Sequence, residues 1–321
     1  MNITHGKKER CQRITIYGPE GIGKSTLAAQ FPAPLFLDVE DGTAHLDVRR
    51  AGVDNWTGLL DAVNAFAAIA SATPGEYGTL VIDTIDAAES LCHQHTCAKA
   101  GKSGIEDFGY GKGYRYAAEN MSVLLKALDG IIVTARCNVV LLAHSHLRKF
   151  EQPDEAGAYD RYELKLHKVA ASAVKEWSDA VLFANYETYV IDVDGTKKAK
   201  GGKRVIHTTH NPCWDAKNRH GLAEKLPLAW DAIAEMVPAT TPAKPAEKQD
   251  AAGFPALLWE LMERDGITEQ ELRDINAARG YYGAEVSPAN YSTDHVDRLV
   301  TQWEAVKGLI RDARKKQNKE G

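Results

Sequence analysis

An α/β fold, with a mostly parallel sheet between helices and a small helical C-terminal domain, is the architecture this chain spells out. Three observations carry it. Short, nearly continuous apolar runs alternate with segments of helical spacing as far as residue 237, which is how strands buried on both faces read. A glycine-rich loop ending in Gly-Lys-Ser follows the first apolar run and opens the first helical pattern. Pro238 to Gly253 reads PATTPAKPAEKQDAAG, a linker composition, and only helical patterns come after it.

The elements follow in order. Arg13 to Tyr17 (RITIY) is a strand, and a helix starts near Lys24 and runs to Phe31. Leu35 to Val39 (LFLDV) is a second strand. Trp56 to Ile69 is helical, with apolar residues at 59, 60, 63, 66 and 69. Thr79 to Asp83 (TLVID) and Val139 to Ala143 (VVLLA) are further buried strands, with a helix over Met121 to Leu128 between them. Ala180 to Ala184 is a fifth strand. Tyr186 to Asp194 and Arg204 to Thr209 read as antiparallel strands joined by DGTKKAKGGK. Beyond the linker, Thr268 and Glu271 form a capping box. Val296, Leu299, Val300, Trp303, Val306, Leu309 and Ile310 make one apolar stripe on a long last helix. The expected division is a core over 1–237, a linker over 238–253 and a helical domain over 254–321.

Composition excludes several classes. The 321 residues are 44% hydrophobic and 26% charged, so the chain can bury a large core. No apolar run approaches the ~18 residues of a membrane span. Met1 to Arg13 is polar and basic, so no secretory signal is expected. Five cysteines fit a reducing, cytoplasmic setting better than a disulfide scaffold. The net charge of −5 argues against a generally basic nucleic-acid coat but leaves local basic patches open.

The chemistry starts at Gly18-Pro19-Glu20-Gly21-Ile22-Gly23-Lys24-Ser25-Thr26, a phosphate-binding loop in its proper strand-to-helix context. Its glycines let backbone N–H groups face phosphates, Lys24 reaches the β- and γ-phosphates, and the Ser25 hydroxyl binds Mg²⁺. Asp83 ends an apolar strand and is the expected second Mg²⁺ ligand. In FLDVED, Glu40 is the candidate to orient the attacking water, with Asp38 and Asp41 competing for that role. His144 ends VVLLA and is the candidate sensor of the γ-phosphate. Cys92, His95 and Cys97 have the residue types of a zinc site, but not the spacing of a closed one.

By the order GPEGIGKST, FLDVE, LVIDT and VVLLAHSH, residues 10–237 resemble the RecA-like branch of P-loop ATPases. His144 and the stretch WDAKNRHGL (214–222) look most like phage-encoded nucleotide-binding ATPases, a family that includes single-strand annealing proteins of phage recombination. The resemblance implies ATP and Mg²⁺ as cofactors and single-stranded DNA as partner. It also implies a homo-oligomer, ring or filament, in the cytoplasm of the host cell. A trans-acting finger would fall near Lys165, Lys168 or Lys175. DNA would meet two loops, 98–117 and 146–177. The first interleaves Lys102, Lys112 and Arg115 with Tyr110 and Tyr114, cations and stacking rings suited to single strands. The second offers Arg148 and Lys149. A hairpin tip with Lys197, Lys198, Lys200, Lys203 and Arg204 adds five cations with no acid among them. The helical tail is a place for a partner such as a single-strand binding protein. A RecA-fold helicase or loader, a small-molecule kinase and a nucleotide-dependent binding switch are the other readings.

Overall fold

The computed structural model describes residues 5–6, 10–151, 157–193, 196–238 and 256–320. The chain divides into two compact units, Met1–Ala243 and Lys244–Gly321. Most of the expected linker lies outside the described residues.

The first unit is a ten-stranded, mostly parallel sheet covered by helices on both faces. It opens with β1 (Arg13–Gly18), α1 (Lys24–Ala28), β2 (Pro34–Asp38), β3 (Arg49–Gly52), α2 (Trp56–Ala72), β4 (Thr79–Asp83) and α3 (Ile85–Lys99). It continues with α4 (Lys112–Gly130), β5 (Asn138–Phe150), β6 (Tyr159–Leu164), α5 (Lys168–Trp177), β7 (Ala180–Val193), β8 (Thr196–His207), β9 (Lys217–Asn218) and β10 (Lys225–Pro227). The order across the sheet is β10-β8-β7-β1-β5-β4-β2-β3, with β6 on β5 and β9 on β7. The block from β7 to β3 is parallel, and the remaining pairings are antiparallel.

The pleat explains the apolar runs. Successive side chains point to opposite faces, so a strand covered on both sides must be apolar at every position. Along β4, Leu80 and Ile82 join the core under α2, α3 and α4, while Val81 joins the core under α1. Val139, Leu141 and Ala143 of β5 divide from Val140 and Leu142 in the same way. The helices start where side chains take up free N–H groups. Asn55 accepts from Gly58 at the head of α2, and Thr84 accepts from Ala87 at the head of α3.

Three expectations change in this unit, and one strand is new. The segment 98–117 is a loop over residues 100–111, with a short turn at Ile105–Phe108, but its second part is the first turns of α4, which starts nine residues before Met121. Ala117, Met121, Leu124, Leu125 and Leu128 form its buried face, and the aromatic and basic residues of its first turn hid that period. The segment 146–177 is likewise structured, since β5 runs on to Phe150, pairs with β6 and leads into α5. The β7–β8 hairpin closes at Val193↔Thr196, so 197–204 lies along a strand and not at a tip. Gly201 sits at the register shift opposite Glu187 and Thr188, where a Cβ would come 2.0 Å from the Glu187 carbonyl oxygen. β3 was unforeseen because RRAG has no apolar run.

The second unit comprises α6 (Ala256–Asp265), α7 (Glu269–Ala278), α8 (Thr293–Thr301) and α9 (Trp303–Glu320) around one core. The Thr268–Glu271 capping box is formed. The single long last helix is instead two, broken at Gln302, although Val296, Leu299, Trp303, Val306 and Ile310 share the core. No proline or glycine marks that break, and the apolar stripe runs straight across it.

Candidate nucleotide site

Parallel strands end at one edge of the sheet, and their register brings the chemistry together there. Gly18 of β1 stands opposite His144 of β5, and Asp38 of β2 opposite Asp83 of β4. β5 lies between β1 and β4, so the phosphate loop, the sensor strand and the metal strand are neighbours.

The loop itself is built by backbone. Gly21 and Gly23 have φ of 69° and 106°, conformations that a Cβ penalises. Lys24 is 6% exposed, and its Nζ donates to the carbonyl oxygens of Gly18 (3.1 Å) and Pro19 (3.0 Å). The ammonium is thus held inside the curl of the loop. Burial lowers its pKa, against the pull of Asp83, Asp86 and Glu40. Ser25 Oγ donates to Asp83 Oδ2 at 2.6 Å. A hydroxyl and a carboxylate oxygen are hard donors that fit Mg²⁺, which keeps several waters and takes its remaining ligands from phosphate. Burial raises the Asp83 carboxyl, with the Ser25 bond opposing and the charges of Asp38 and Glu40 adding. A bound cation would reverse that direction.

Asp38 leaves the competition for the water. Its carboxylate accepts from the Gly42 and Thr43 amides at 3.0 Å each and from the Thr43 hydroxyl, so it shapes its own turn. Asp41 is exposed in a left-handed backbone conformation. Glu40 faces the site. Its Oε1 accepts from Thr84 Oγ1 at 3.0 Å and lies 3.9 Å from His144 Nδ1.

One functional residue escaped the sequence. Asp86, in the first turn of α3, grips His144 twice. Oδ1 accepts from its backbone N–H at 2.9 Å, and Oδ2 lies 2.8 Å from Nδ1. A carboxylate only accepts, so Nδ1 carries the proton and Nε2 is left for a ligand. The Asp86 bond raises the His144 pKa, against burial. Burial pushes Asp86 up, but the bonds from His144 outweigh it and hold the carboxyl low. Glu40, Asp86 and His144 also lie close enough to hold a cation. The 2.8 Å Nδ1–Oδ2 approach is instead that of a hydrogen bond donated by Nδ1–H to the carboxylate. The only sequence signal for Asp86 was the repeat of Asp-Thr-Ile-Asp after the strand.

The same helix reaches further. One turn after Asp86, Glu89 accepts from the His167 N–H with both oxygens, at 3.1 and 3.0 Å. The His167 ring stacks on Tyr114 with centroids 4.0 Å apart and planes 5° apart. Tyr114 Oη donates to Glu106 at 2.5 Å. Burial pushes the Glu89 carboxyl up to about 7. A cavity of about 420 Å³ opens here, lined by Glu40, Asp86, Glu89, His93 and Lys165 among others.

The expected DNA residues divide. Lys102, Tyr110, Lys112 and Arg115 are exposed, Tyr110 completely so. Arg148 pairs with Glu163 at 3.5 Å on the β5–β6 ribbon, and Lys149 lies beside it, exposed. The side chains of Lys197, Lys198 and Lys200 lie outside the described residues. Lys203 is exposed on β8. Arg204 is elsewhere altogether: its guanidinium stands over the phosphate loop, 3.4 Å from the Ile22 carbonyl oxygen and 2.8 Å from where a Cβ on Gly23 would be. Among the finger candidates, Lys175 is engaged at 2.7 Å by Asp215, which also binds Arg161. The Cys92 thiol is buried and donates to the Ala117 carbonyl. The stretch 214–222 braces the sheet: Trp214 packs on His207 and Phe183, and Lys217 donates to carbonyls at the end of α5.

Among the described residues, no helix is long and apolar enough to cross a membrane. Residues 10–220 match the family model described as AAA domain. The chain is similar to the SPbeta prophage-derived uncharacterized protein YorG of Bacillus subtilis (strain 168), with 26% identity over 135 residues. That stretch is 41% of this chain and 40% of the relative, so the chain matches well under half of the relative's length. The match covers about two thirds of the chain and contains the phosphate loop, and the chain belongs to the AAA domain family of P-loop ATPases.

Proposed function

We propose that this ATPase acts on single-stranded DNA and promotes strand annealing in phage recombination. The observation that carries the reading is the span of α3. Its Asp86 holds the histidine that faces the phosphate site, and its Glu89 holds the start of α5, whose His167 stacks on Tyr114. Tyr114 belongs to the segment whose exposed Lys102, Tyr110, Lys112 and Arg115 supply the cations and rings that single strands need.

In the proposed cycle, ATP binds through Gly18 to Thr26, where Ser25 and Asp83 would hold Mg²⁺ to neutralise phosphate charge. Glu40 takes a proton from water as it attacks the γ-phosphorus, the bond to the β-bridging oxygen breaks, and ADP and phosphate result. His144 Nε2 meets the γ-phosphate. Its loss is passed through Asp86 and α3 to the DNA-facing segment, which releases the strands. The active form is a homo-oligomer, ring or filament, in the host cytoplasm. A single-strand binding protein is the proposed partner of the C-terminal unit.

A second reading is a nucleotide-dependent binding switch with little turnover. The Glu40–Thr84 bond favours it, because it holds the proposed base in a structural contact. ATP hydrolysis with and without single-stranded DNA tests both, beside Lys24→Ala. Stimulation that vanishes in the variant supports the DNA-coupled ATPase. Hydrolysis indifferent to DNA overturns it, and nucleotide binding without hydrolysis leaves the switch.

A further inference from the structure

The C-terminal unit has a slot of about 170 Å³ between α7, α8 and α9. Ile275, Leu299, Val306 and Leu309 line it with aliphatic surface beside the buried, mutually hydrogen-bonded Asn276 and His295, and Arg279 and Arg298 stand at its rim. Its volume is below that of pockets that bury a whole small molecule, roughly 300–1,000 Å³. It suits one large apolar side chain presented by something bigger.

The two rim arginines differ from others of this unit. Arg264 pairs with Asp265, Arg273 with Glu269 and Arg314 with Glu271. Arg279 and Arg298 are exposed and make no ion pair among the described residues. The half-exposed ring of Tyr281 lines the same slot. Two unpaired guanidinium groups beside an apolar slot are complementary to carboxylates flanking an apolar residue.

We infer that this slot docks an acidic peptide segment of a partner protein, with one large apolar side chain in the slot and its carboxylates on Arg279 and Arg298. A nucleic acid is the poorer occupant. Of its lining residues Tyr281 alone offers a well-exposed aromatic ring, so successive bases find no row of stacking partners. Residues 254–321 also carry 12 acidic against ten basic side chains, a balance that repels a long polyanion. A short peptide meets mainly the local cations, because more distant charges are screened over about 8–10 Å.

This inference deepens the proposed recruiting role of the C-terminal unit, and its test uses neither nucleotide nor hydrolysis. Its failure would therefore leave the ATPase reading untouched. The probe is a labelled ten-residue peptide of aspartate and glycine with one central leucine, titrated with the full chain by fluorescence anisotropy. Binding is expected, and replacing the leucine by glycine, or the aspartates by lysine, should abolish it. Arg279→Ala and Arg298→Ala should each weaken it about fivefold, the scale of an exposed charge pair. Ala305→Trp, which fills the slot and keeps both charges, should weaken it at least as much. All three positions are exposed, and circular dichroism checks that each variant is folded.

Three outcomes would overturn the inference. One is no binding to the folded wild type, or binding indifferent to both arginines. Another is tighter binding of a thymidylate 20-mer with the same arginine dependence, which would make the surface a nucleic-acid site. The third is self-association lost in the arginine variants, which would make the occupant a second copy of the chain.

Discussion

The strand ends around the phosphate loop and the basic segments of the same unit obey different rules. At the strand ends, parallel pairing sets Gly18 beside His144 and Asp38 beside Asp83, and the turns that follow β1 and β2 add Lys24, Ser25 and Glu40. Lys24, Ser25, Asp83, Glu40 and His144 therefore fall in one place, as their order along the chain led us to expect. The basic segments have no such register to inherit. There Lys102 and Tyr110 stay on a loop, but Lys112 and Arg115 lie on a helix, Arg148 and Lys149 on a ribbon and 197–204 along a strand, and Arg204 belongs to the other region altogether. A chemical motif tied to a strand end can be placed from sequence, whereas a charge run cannot.

The largest test of that comparison is Glu40→Gln. ATP binding should persist while hydrolysis slows at least ~100-fold, as when a general base is lost. A tenfold or smaller effect would return Glu40 to its bond with Thr84 and move weight to the switch reading.

Asp86→Asn comes next, with turnover expected to fall about tenfold and the pH profile to move. Asp86 holds the His144 pKa above its ordinary value, so the imidazolium persists to higher pH. Activity that needs the cation is present below that pKa and is lost as pH rises through it. Without the carboxylate the loss should begin at lower pH. An unmoved alkaline limb would show that His144 acts as the neutral ring.

Glu89 sharpens the link between the regions. Its folded pKa of about 7 lies above the ordinary 4.5, so the folded state holds the extra proton. Stability from this group is complete below about 4.5 and is lost as pH rises to about 7. The loss should be on the order of 1–3 kcal/mol. Glu89→Gln should flatten that slope in thermal melts, and a parallel curve would sink the assignment.

The smallest effect separates Arg204 from its neighbours in sequence. Arg204→Ala should weaken ATP binding a fewfold, on the scale of a lost charge-assisted bond, and leave the salt dependence of DNA binding alone. Replacing Lys197, Lys198, Lys200 and Lys203 together by Ala should do the reverse, lowering the salt slope. If Arg204→Ala changes only the slope, the arginine serves DNA after all.

What could be read from the chain alone was local. GPEGIGKST specifies its own backbone, because three closely spaced glycines, a lysine and a serine suffice to curl a loop between strand and helix. The apolar runs likewise declared a sheet covered on both faces, and Thr268 with Glu271 declared a helix start. Tertiary structure decided everything that depends on which strands become neighbours. The insertion of β5 between β1 and β4 sets His144 opposite Gly18, and α3 then brings Asp86 to that histidine across 58 positions. The return of β8 lays Arg204 on a loop 182 positions away. A capped helix start such as that at Thr268 is settled by neighbours in sequence, but parallel pairing needs a crossover. Its partner is chosen by the packing of the whole sheet, which no stretch of sequence states.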